Sequence, residues 1–138
     1  MERLALDDIR ARITKDGIRI YEDADFAGMR LAGRVAAEIL DAVAHLVVPG
    51  ATTAVIDDFI TAEIARRGVT SATVGYKGYK HASCISVNHV VCHGIPGPKV
   101  LVDGDILNVD VTVIVDGWYV VTIRMYVADK LARTAEQL

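Results

Sequence analysis

The chain has 138 residues, 52% of them hydrophobic, and a formal net charge of −3 at pH 7. This length suits one small domain with a buried core, and the acidic balance with scattered lysines and arginines argues against nucleic-acid binding. No apolar run approaches the roughly 20 residues of a membrane span, and the charged beginning is not typical of a signal peptide. A cytoplasmic protein with reduced cysteines is expected.

The hydrophobic fraction is slightly above that of an average soluble domain, and the mean hydropathy is +0.33. Two explanations stay open at this point. Either a second copy or a partner covers part of the apolar surface, or the chain is a monomer rich in alanine and valine.

The first third of the chain is predicted to be mainly helical. A lead-in over 1–17 ends in a turn, and 18–21 has the composition of a short strand. Apolar residues recur at helical spacing over 26–46, which predicts an amphipathic helix with Asp23 or Asp25 as its cap.

A second helix is predicted to run to about Arg67, with Thr52 or Thr53 as its cap, and to end at Gly68. The following residues are rich in Val, Ile, Thr and Tyr, which is the composition of strands. The dipeptide Asp116-Gly117 suits a two-residue hairpin turn. Helices followed by antiparallel strands indicate an α+β fold. Strands are predicted near 82–87, 90–93, 106–115 and 118–126.

Two polar residues could carry chemistry. His93 stands at a predicted strand end before a loop with glycine and proline, which suits a site, although a packed, hydrogen-bonded histidine is the commoner case. Asp110 lies within an apolar strand, where burial would require a partner, a proton or a cation. Strand alternation could instead point Asp110 to solvent, on one face with Asn108 and Thr112.

Other candidates are weaker. Tyr76 and Tyr79 could form the aromatic walls of a site, or lie half-buried in an ordinary glycine-containing loop. Cys84 and Cys92 are most simply small core residues, because their spacing does not suit a zinc site. The other histidines have no carboxylate or cysteine pattern beside them and are expected on the surface: His45, His81 and His89.

Several motifs, in this order along the chain, resemble type I methionine aminopeptidases. They are Phe26-Ala27-Gly28-Met29-Arg30, Tyr76-Lys77-Gly78-Tyr79, Val91-Cys92-His93-Gly94-Ile95-Pro96 and Asn108-Val109-Asp110-Val111-Thr112. The similarity is dense and spans roughly residues 18 to 131. On this basis the chain is identified as a member of that family.

The resemblance implies half of a pita-bread fold, with two helices packed on an antiparallel sheet. The full fold has two similar halves related by a pseudo-twofold axis, and the active site lies between them. In the family that site holds two divalent metals, such as Co, Mn, Fe or Zn, on two Asp of the first half and on a His and two Glu of the second. A metal-bound water attacks the peptide bond that follows an amino-terminal Met.

Carried over by position, Asp110 resembles the first Asp ligand, and His93 resembles the histidine that positions the substrate and supports the transition state. Tyr76, Tyr79 and Cys84 resemble the walls of the methionine pocket, to which His93 also contributes. The second Asp ligand falls at Val121, whose aliphatic side chain cannot bind a hard cation.

The resemblance also implies that this chain departs from the family. Because it ends at Leu138, the three ligands of the second half are expected to be missing. Where the family has Gly-Asp-Thr-Ser, this chain has Val120-Val121-Thr122-Ile123, which suggests repair of an exposed face in an engineered or selected half-domain. The half-domain is expected to cover 18–130, after a lead-in over 1–17 and before a tail over 131–138.

The expected function is therefore that of a truncated, inactive half-domain that binds no metal and self-associates as a homodimer through the strand over 118–126. The alternative is a metal-dependent aminopeptidase that removes amino-terminal Met, with its site completed by a second chain. A third hypothesis is a binding module whose partner carries the complementary second half. Neither nucleic acid nor a membrane is an expected partner.

Overall fold

The computed structural model describes residues 12–130. Its helices are α1 (Asp23–Val43) and α2 (Thr53–Arg66). Its strands are β1 (Arg12–Ile13), β2 (Arg19–Ile20), β3 (Thr70–Ser71), β4 (Ser83–Val87), β5 (Ile106–Val115) and β6 (Trp118–Val127). The expected α+β order, with two helices before an antiparallel sheet, is confirmed. Most of the expected lead-in and all of the expected tail lie outside the described residues.

Helix α1 begins after Glu22, whose extended backbone makes it the N-cap in place of the expected Asp23 or Asp25. Asp25 instead accepts a hydrogen bond from the Glu22 N–H at 2.8 Å, which satisfies a donor that the first turn leaves free. The predicted apolar stripe is buried along most of the helix, and a short 3-10 turn over Ala44–Leu46 ends it. The buried residues of α1 are Ala32, Ala36, Ile39, Leu40 and Val43.

Helix α2 begins at a threonine cap, as the sequence predicts. The Thr52 side chain accepts a hydrogen bond from the Val55 N–H at 3.2 Å. Ile56, Ile60 and Ile64 are buried, whereas Val55 is exposed, so the apolar stripe is narrower than the sequence indicates.

The main sheet has four antiparallel strands, and β5 is its centre. β3 and β4 pair with one side of β5, and β6 pairs with the other side along its whole length. Asp116 and Gly117 join β5 to β6 with φ values of 48° and 82°, which is the predicted two-residue turn with positive φ. The buried side chains of β5 pack against the helices and form the core: Leu107, Val109, Val111, Val113 and Val115.

The prediction of a strand over 90–93 is wrong. Asn88 and His93 have φ values of 51° and 55°, so the backbone turns at both ends of this segment. Gly94 then crosses close to β4, where its carbonyl accepts a hydrogen bond from the Ile85 N–H at 2.8 Å. A Cβ atom on Gly94 would lie 2.1 Å from the Ile85 carbonyl oxygen, so only glycine allows this approach.

Neither of the two helices found within residues 12–130 has the length and apolarity that a membrane crossing requires.

Candidate functional site

One face of the sheet carries the α-helices, and the opposite face, called here the open face, carries the predicted metal-ligand position. Asp110 lies in the centre of the open face, opposite Cys84 of β4 and opposite Ile123 of β6. Thr112 and Asn108 share this face with Asp110, as strand alternation predicts, and all three are half-buried.

Four of the five predicted site residues line one cleft of about 730 Å³: Tyr76, Tyr79, Cys84 and His93. Thr112 and Tyr119 also line the cleft, so the β5–β6 hairpin contributes to it. Asp110, the fifth predicted residue, is the cross-strand partner of Cys84 and therefore lies beside this cleft. The topology thus brings together residues from the loop before β4, the loop after β4, and the hairpin.

Tyr79 is held in place by two contacts at the start of β4. Its hydroxyl donates a hydrogen bond to the Ser83 carbonyl at 2.8 Å, and the Cys84 thiol donates to the Tyr79 hydroxyl at 3.5 Å. Burial raises the pKa of Tyr79 well above its usual value, and the neighbouring Cys84 and the negative charges of Asp57 and Asp110 raise it further. Tyr79 is therefore a neutral phenol with a fixed orientation at physiological pH.

The Asp110 carboxyl group has a raised pKa. Burial is the main cause, and the nearby His93 opposes it. Its neighbours across the open face on β6 are aliphatic, because Ile123 stands directly opposite and Val121 stands one step along the same face. β6 places no positively charged side chain beside Asp110, so the effect of burial on the Asp110 pKa outweighs the opposing effect of His93.

Val121 decides whether this face fits a pair of divalent cations. It lies opposite Thr112 and is 57% exposed on the same face as Asp110, so its position is the one from which a carboxylate would reach a shared ion. An isopropyl group has no lone pair to donate. Within residues 12–130, no three His, Cys, Asp or Glu side chains are grouped closely enough to hold a metal ion. The donor set does not fit the two-metal centre that the resemblance implies.

Asp57 of α2 is a structural residue that sequence reasoning missed. Its buried carboxylate accepts hydrogen bonds from the N–H groups of Ala82 and Ser83 at 3.1 and 2.9 Å, and from the Ser83 hydroxyl at 2.6 Å. His81, expected on the surface without an acidic neighbour, is half-buried with Nδ1 3.0 Å from this carboxylate. Asp57 therefore fixes the segment that leads to Cys84. An acidic residue next to Ile56 on the buried side of α2 was the signal in the sequence.

The expectation for the two cysteines is also wrong. Cys84 is half-buried and faces the cleft, and Cys92 is exposed in the loop after β4, so neither belongs to the core. Both are free thiols. Cys84 follows the strand alternation that places Ser83 and Ile85 inside, which is why its side chain points to the open face.

Asp105 is a second buried carboxylate outside the site. It accepts hydrogen bonds from the Val102 N–H at 2.9 Å and from the Asn88 side chain at 2.8 Å. Burial acts to raise the pKa of Asp105, but these hydrogen bonds and the charge of Lys99 outweigh burial and hold the pKa below its usual value. This carboxylate stabilises the loop that enters β5.

Residues 27–138 match the model of metallopeptidase family M24. The chain is 46% identical over 121 residues to a methionine aminopeptidase of Rickettsia prowazekii, and 44% identical over 126 residues to a methionine aminopeptidase of Escherichia coli. Each alignment covers 88% of this chain and 47% of the relative. The chain therefore spans about half the length of the curated relatives it matches.

Solved structures of methionine aminopeptidases also superpose on this chain. The crystal structure of methionine aminopeptidase from Rickettsia prowazekii superposes with a TM-score of 0.85 at 45% identity, and the enzyme from Thermotoga maritima with 0.82 at 34% identity. Both superpositions cover 88% of this chain and 49% of the other. A prolidase from Pyrococcus furiosus, at 13% identity and a TM-score of 0.73, shares the fold alone. The expected architecture, half of a pita-bread fold, is confirmed.

Proposed function

Because the chain belongs to metallopeptidase family M24, we propose that it is a half-domain of that family which does not hydrolyse peptides by itself and which self-associates as a homodimer. Its relatives in Rickettsia prowazekii and Escherichia coli are methionine aminopeptidases. The reaction that it lacks is therefore the removal of an amino-terminal methionine.

The observation that carries this proposal is the aliphatic side chain of Val121 on the open face. Asp110 is left with Ile123 and Val121 as its neighbours on β6, and a single half-buried carboxylate binds a divalent cation weakly. Without a tightly held cation there is no activated water to attack a peptide carbonyl.

A second candidate function is a metal-dependent methionyl aminopeptidase whose site is completed by a second chain. The intact cleft favours it, because Tyr76, Tyr79, Cys84 and His93 still surround one apolar space next to Asp110. A partner would have to bring every other ligand and replace the one that Val121 cannot supply.

The first experiment measures metal content and turnover on the same preparation. The purified chain is incubated with Co²⁺ or Mn²⁺ and a short peptide that begins with methionine, and released methionine is quantified. We expect no release above a blank that contains metal and peptide alone, and no retention of metal after desalting. Turnover that disappears in Asp110→Ala would refute the proposal and favour the second candidate.

A second experiment restores the missing carboxylate with Val121→Asp and uses Val121→Asn as the matched control. Calorimetric titration with Mn²⁺ is expected to detect weak binding to Val121→Asp but not to Val121→Asn, because only the former places two carboxylates on neighbouring strands. Turnover is expected to stay absent in both, since residues 12–130 place no third His, Cys, Asp or Glu beside Asp110 and position 121. Methionine release by Val121→Asp would contradict the proposal, because it would show that the remaining metal ligands are already present.

Self-association is measured by size-exclusion chromatography with light scattering. The expected result is a species of twice the chain mass of 14.9 kDa that dissociates on dilution. A strictly monomeric protein at all concentrations would remove this part of the proposal and leave the proposed inactivity standing.

We also propose that the residues at 120, 121 and 123 were engineered or selected for a half-domain. Valine and isoleucine favour extended backbone and remove an uncompensated acidic group from the open face. A triple variant with Val120→Gly, Val121→Asp and Ile123→Ser is expected to unfold at lower urea concentration and to dimerise less. Unchanged stability and dimerisation would contradict this origin.

A further inference from the structure

The outer edge of β6 is a long strand edge without a partner among the described residues. Within residues 12–130, β6 pairs with β5 only. Resting on the self-association proposed above, we infer that this edge pairs antiparallel with β6 of a second copy, in the register that places Thr122 opposite the partner's Thr122. The two sheets then form one continuous sheet across a twofold axis.

The register of the hairpin determines which backbone groups of β6 are free. Val115 and Trp118 flank the two-residue turn and form a hydrogen-bonded pair, and such pairs recur at every second residue along an antiparallel ladder. The even-numbered residues of β6 therefore bond to β5. The odd-numbered ones direct one N–H and one C=O each to the outer edge: Tyr119, Val121, Ile123 and Met125, followed by Val127 at the end of the strand.

The same four residues have their side chains on the open face, and each is more than half exposed: Tyr119 64%, Val121 57%, Ile123 54% and Met125 57%. Each of these four residues thus has both free backbone groups and an exposed apolar side chain. An edge of this kind favours pairing with another strand, because pairing satisfies the backbone and covers the side chains together.

The edge lacks the features that usually prevent such pairing. β6 contains no Lys, Pro or Gly, and its ten residues pair with β5 without a bulge. Its one charged residue, Arg124, is on the face that α1 covers, where it donates to Asp41 at 2.5 Å. No charge is therefore left on the open face of β6 to repel a second strand.

The sequence of β6 is nearly palindromic in chemistry about Thr122. In the inferred register Val121 lies beside the partner's Ile123, and Tyr119 lies beside the partner's Met125. Every outward N–H and C=O of Tyr119, Val121, Ile123 and Met125 then meets an outward group of the other copy, and Val127 lies beyond the paired stretch. A shift by one residue would set outward groups against inward ones, and a shift by two would leave Tyr119 or Met125 without one of the four exposed side chains opposite it.

The charges on β6 are compatible with a second copy as the partner, and the small contact area predicts a weak dimer. Arg124 would lie opposite the partner's Val120, so the twofold axis does not bring like charges together. Four side chains and one strand edge fall short of the roughly 800 Å² per partner that stable dimers bury. A weak dimer with a dissociation constant on the order of micromolar is therefore expected.

The register is tested by disulfide formation in a background that carries Cys84→Ser and Cys92→Ser. Residues opposite each other at a non-hydrogen-bonded position have Cα atoms about 4.5 Å apart, which a disulfide can bridge. Thr122→Cys is therefore expected to give a covalent dimer on mild oxidation. The matched control Val120→Cys, on the same face, is expected to form no covalent dimer, because Val120 and the partner's Val120 lie several positions apart across the axis.

A second pair of variants distinguishes edge pairing from packing of the two open faces. The Val121 N–H points outward, so Val121→Pro preserves the ladder with β5 while it blocks the outer edge. We expect Val121→Pro to weaken dimerisation about tenfold or more in light scattering, and Val121→Thr, which keeps the N–H, to change it less than about threefold.

The experiments can disprove the edge register and the self-association on which it rests separately. A dimer that survives Val121→Pro and is not trapped by Thr122→Cys would overturn the edge register but leave self-association intact. Loss of the dimer in Val121→Thr as well as in Val121→Pro would favour packing of the open faces. A monomeric parent protein would overturn both levels.

Discussion

Both faces of the β5–β6 hairpin carry branched aliphatic side chains, but in opposite environments. On the face that the helices cover, Val109, Val111 and Val113 are fully buried. On the open face, Val121 and Ile123 are more than half exposed. Identical side chains therefore contribute to the stability of the fold on one face, whereas on the other they are available for a site or for a second chain.

The largest expected difference is between two carboxylates, Asp57 on the covered side and Asp110 on the open face. Asp57→Ala leaves the buried N–H groups of Ala82 and Ser83 and the Ser83 hydroxyl without an acceptor, and is expected to lower the free energy of unfolding by roughly 3 kcal/mol or more. Asp110→Ala is expected to leave it unchanged or slightly higher. Urea denaturation of both variants measures this, and equal losses would contradict the contrast.

The second largest difference in stability is expected when valine is replaced by alanine on each of the two faces. Val111→Ala removes two methyl groups from a fully buried site and is expected to lower the free energy of unfolding by about 2 kcal/mol. Val121→Ala is expected to cost less than about 0.5 kcal/mol in the monomer, because its site is open. Denaturation is followed at a protein concentration low enough to suppress dimers. A comparable cost for both would show that the open face is covered within one chain.

A smaller effect concerns the acid sensitivity of Asp105. Its pKa is lower in the folded than in the unfolded state, so its contribution to stability is present above the unfolded pKa and is lost as pH falls through the folded pKa. Asp105→Asn is expected to cost about 1 kcal/mol at pH 7 and to reduce the loss of stability in acid. Denaturation at pH 7 and pH 3 gives both values. An equal cost at the two pH values would argue against an ionic contribution.

The smallest effect is expected for Asp110→Asn, with the opposite sign. Because burial raises the folded pKa of Asp110, the charged form opposes folding, and this loss of stability sets in as pH rises from the unfolded pKa and is complete above the folded pKa. The variant is expected to be more stable at pH 7 by a few tenths of a kcal/mol, since the site is partly solvated. The gain should vanish at pH 3. A variant that is less stable at pH 7 would indicate a favourable partner for the carboxylate.

The fold could be predicted from the sequence where local patterns decide it. Helical spacing placed α1 and α2, and strand alternation with Asp116-Gly117 placed the hairpin and the face of Asp110. The ordered motifs around His93 and Asp110 are sufficient to identify the family.

Long-range contacts account for what the sequence did not predict. Val90 and Val91 have strand composition, but the close passage of Gly94 beside β4 decides their conformation. The place of Asp57 beside Ile56 could indicate that its carboxylate is buried, but no local pattern identifies its partners, which lie some 25 residues along the chain. The cleft is likewise assembled from three separate segments, so its existence followed only from the resemblance.

The position of Asp110 within the hairpin limits what a symmetric pair of chains can achieve. Asp110 stands on β5, so three strand spacings, or about 14 Å, would separate it from the same residue of a copy joined through β6. No single cation can bridge that gap, since its ligands lie within about 2.6 Å of it. Doubling this polypeptide would thus give two isolated clefts on one extended sheet, and neither cleft would gain a metal ligand from the other.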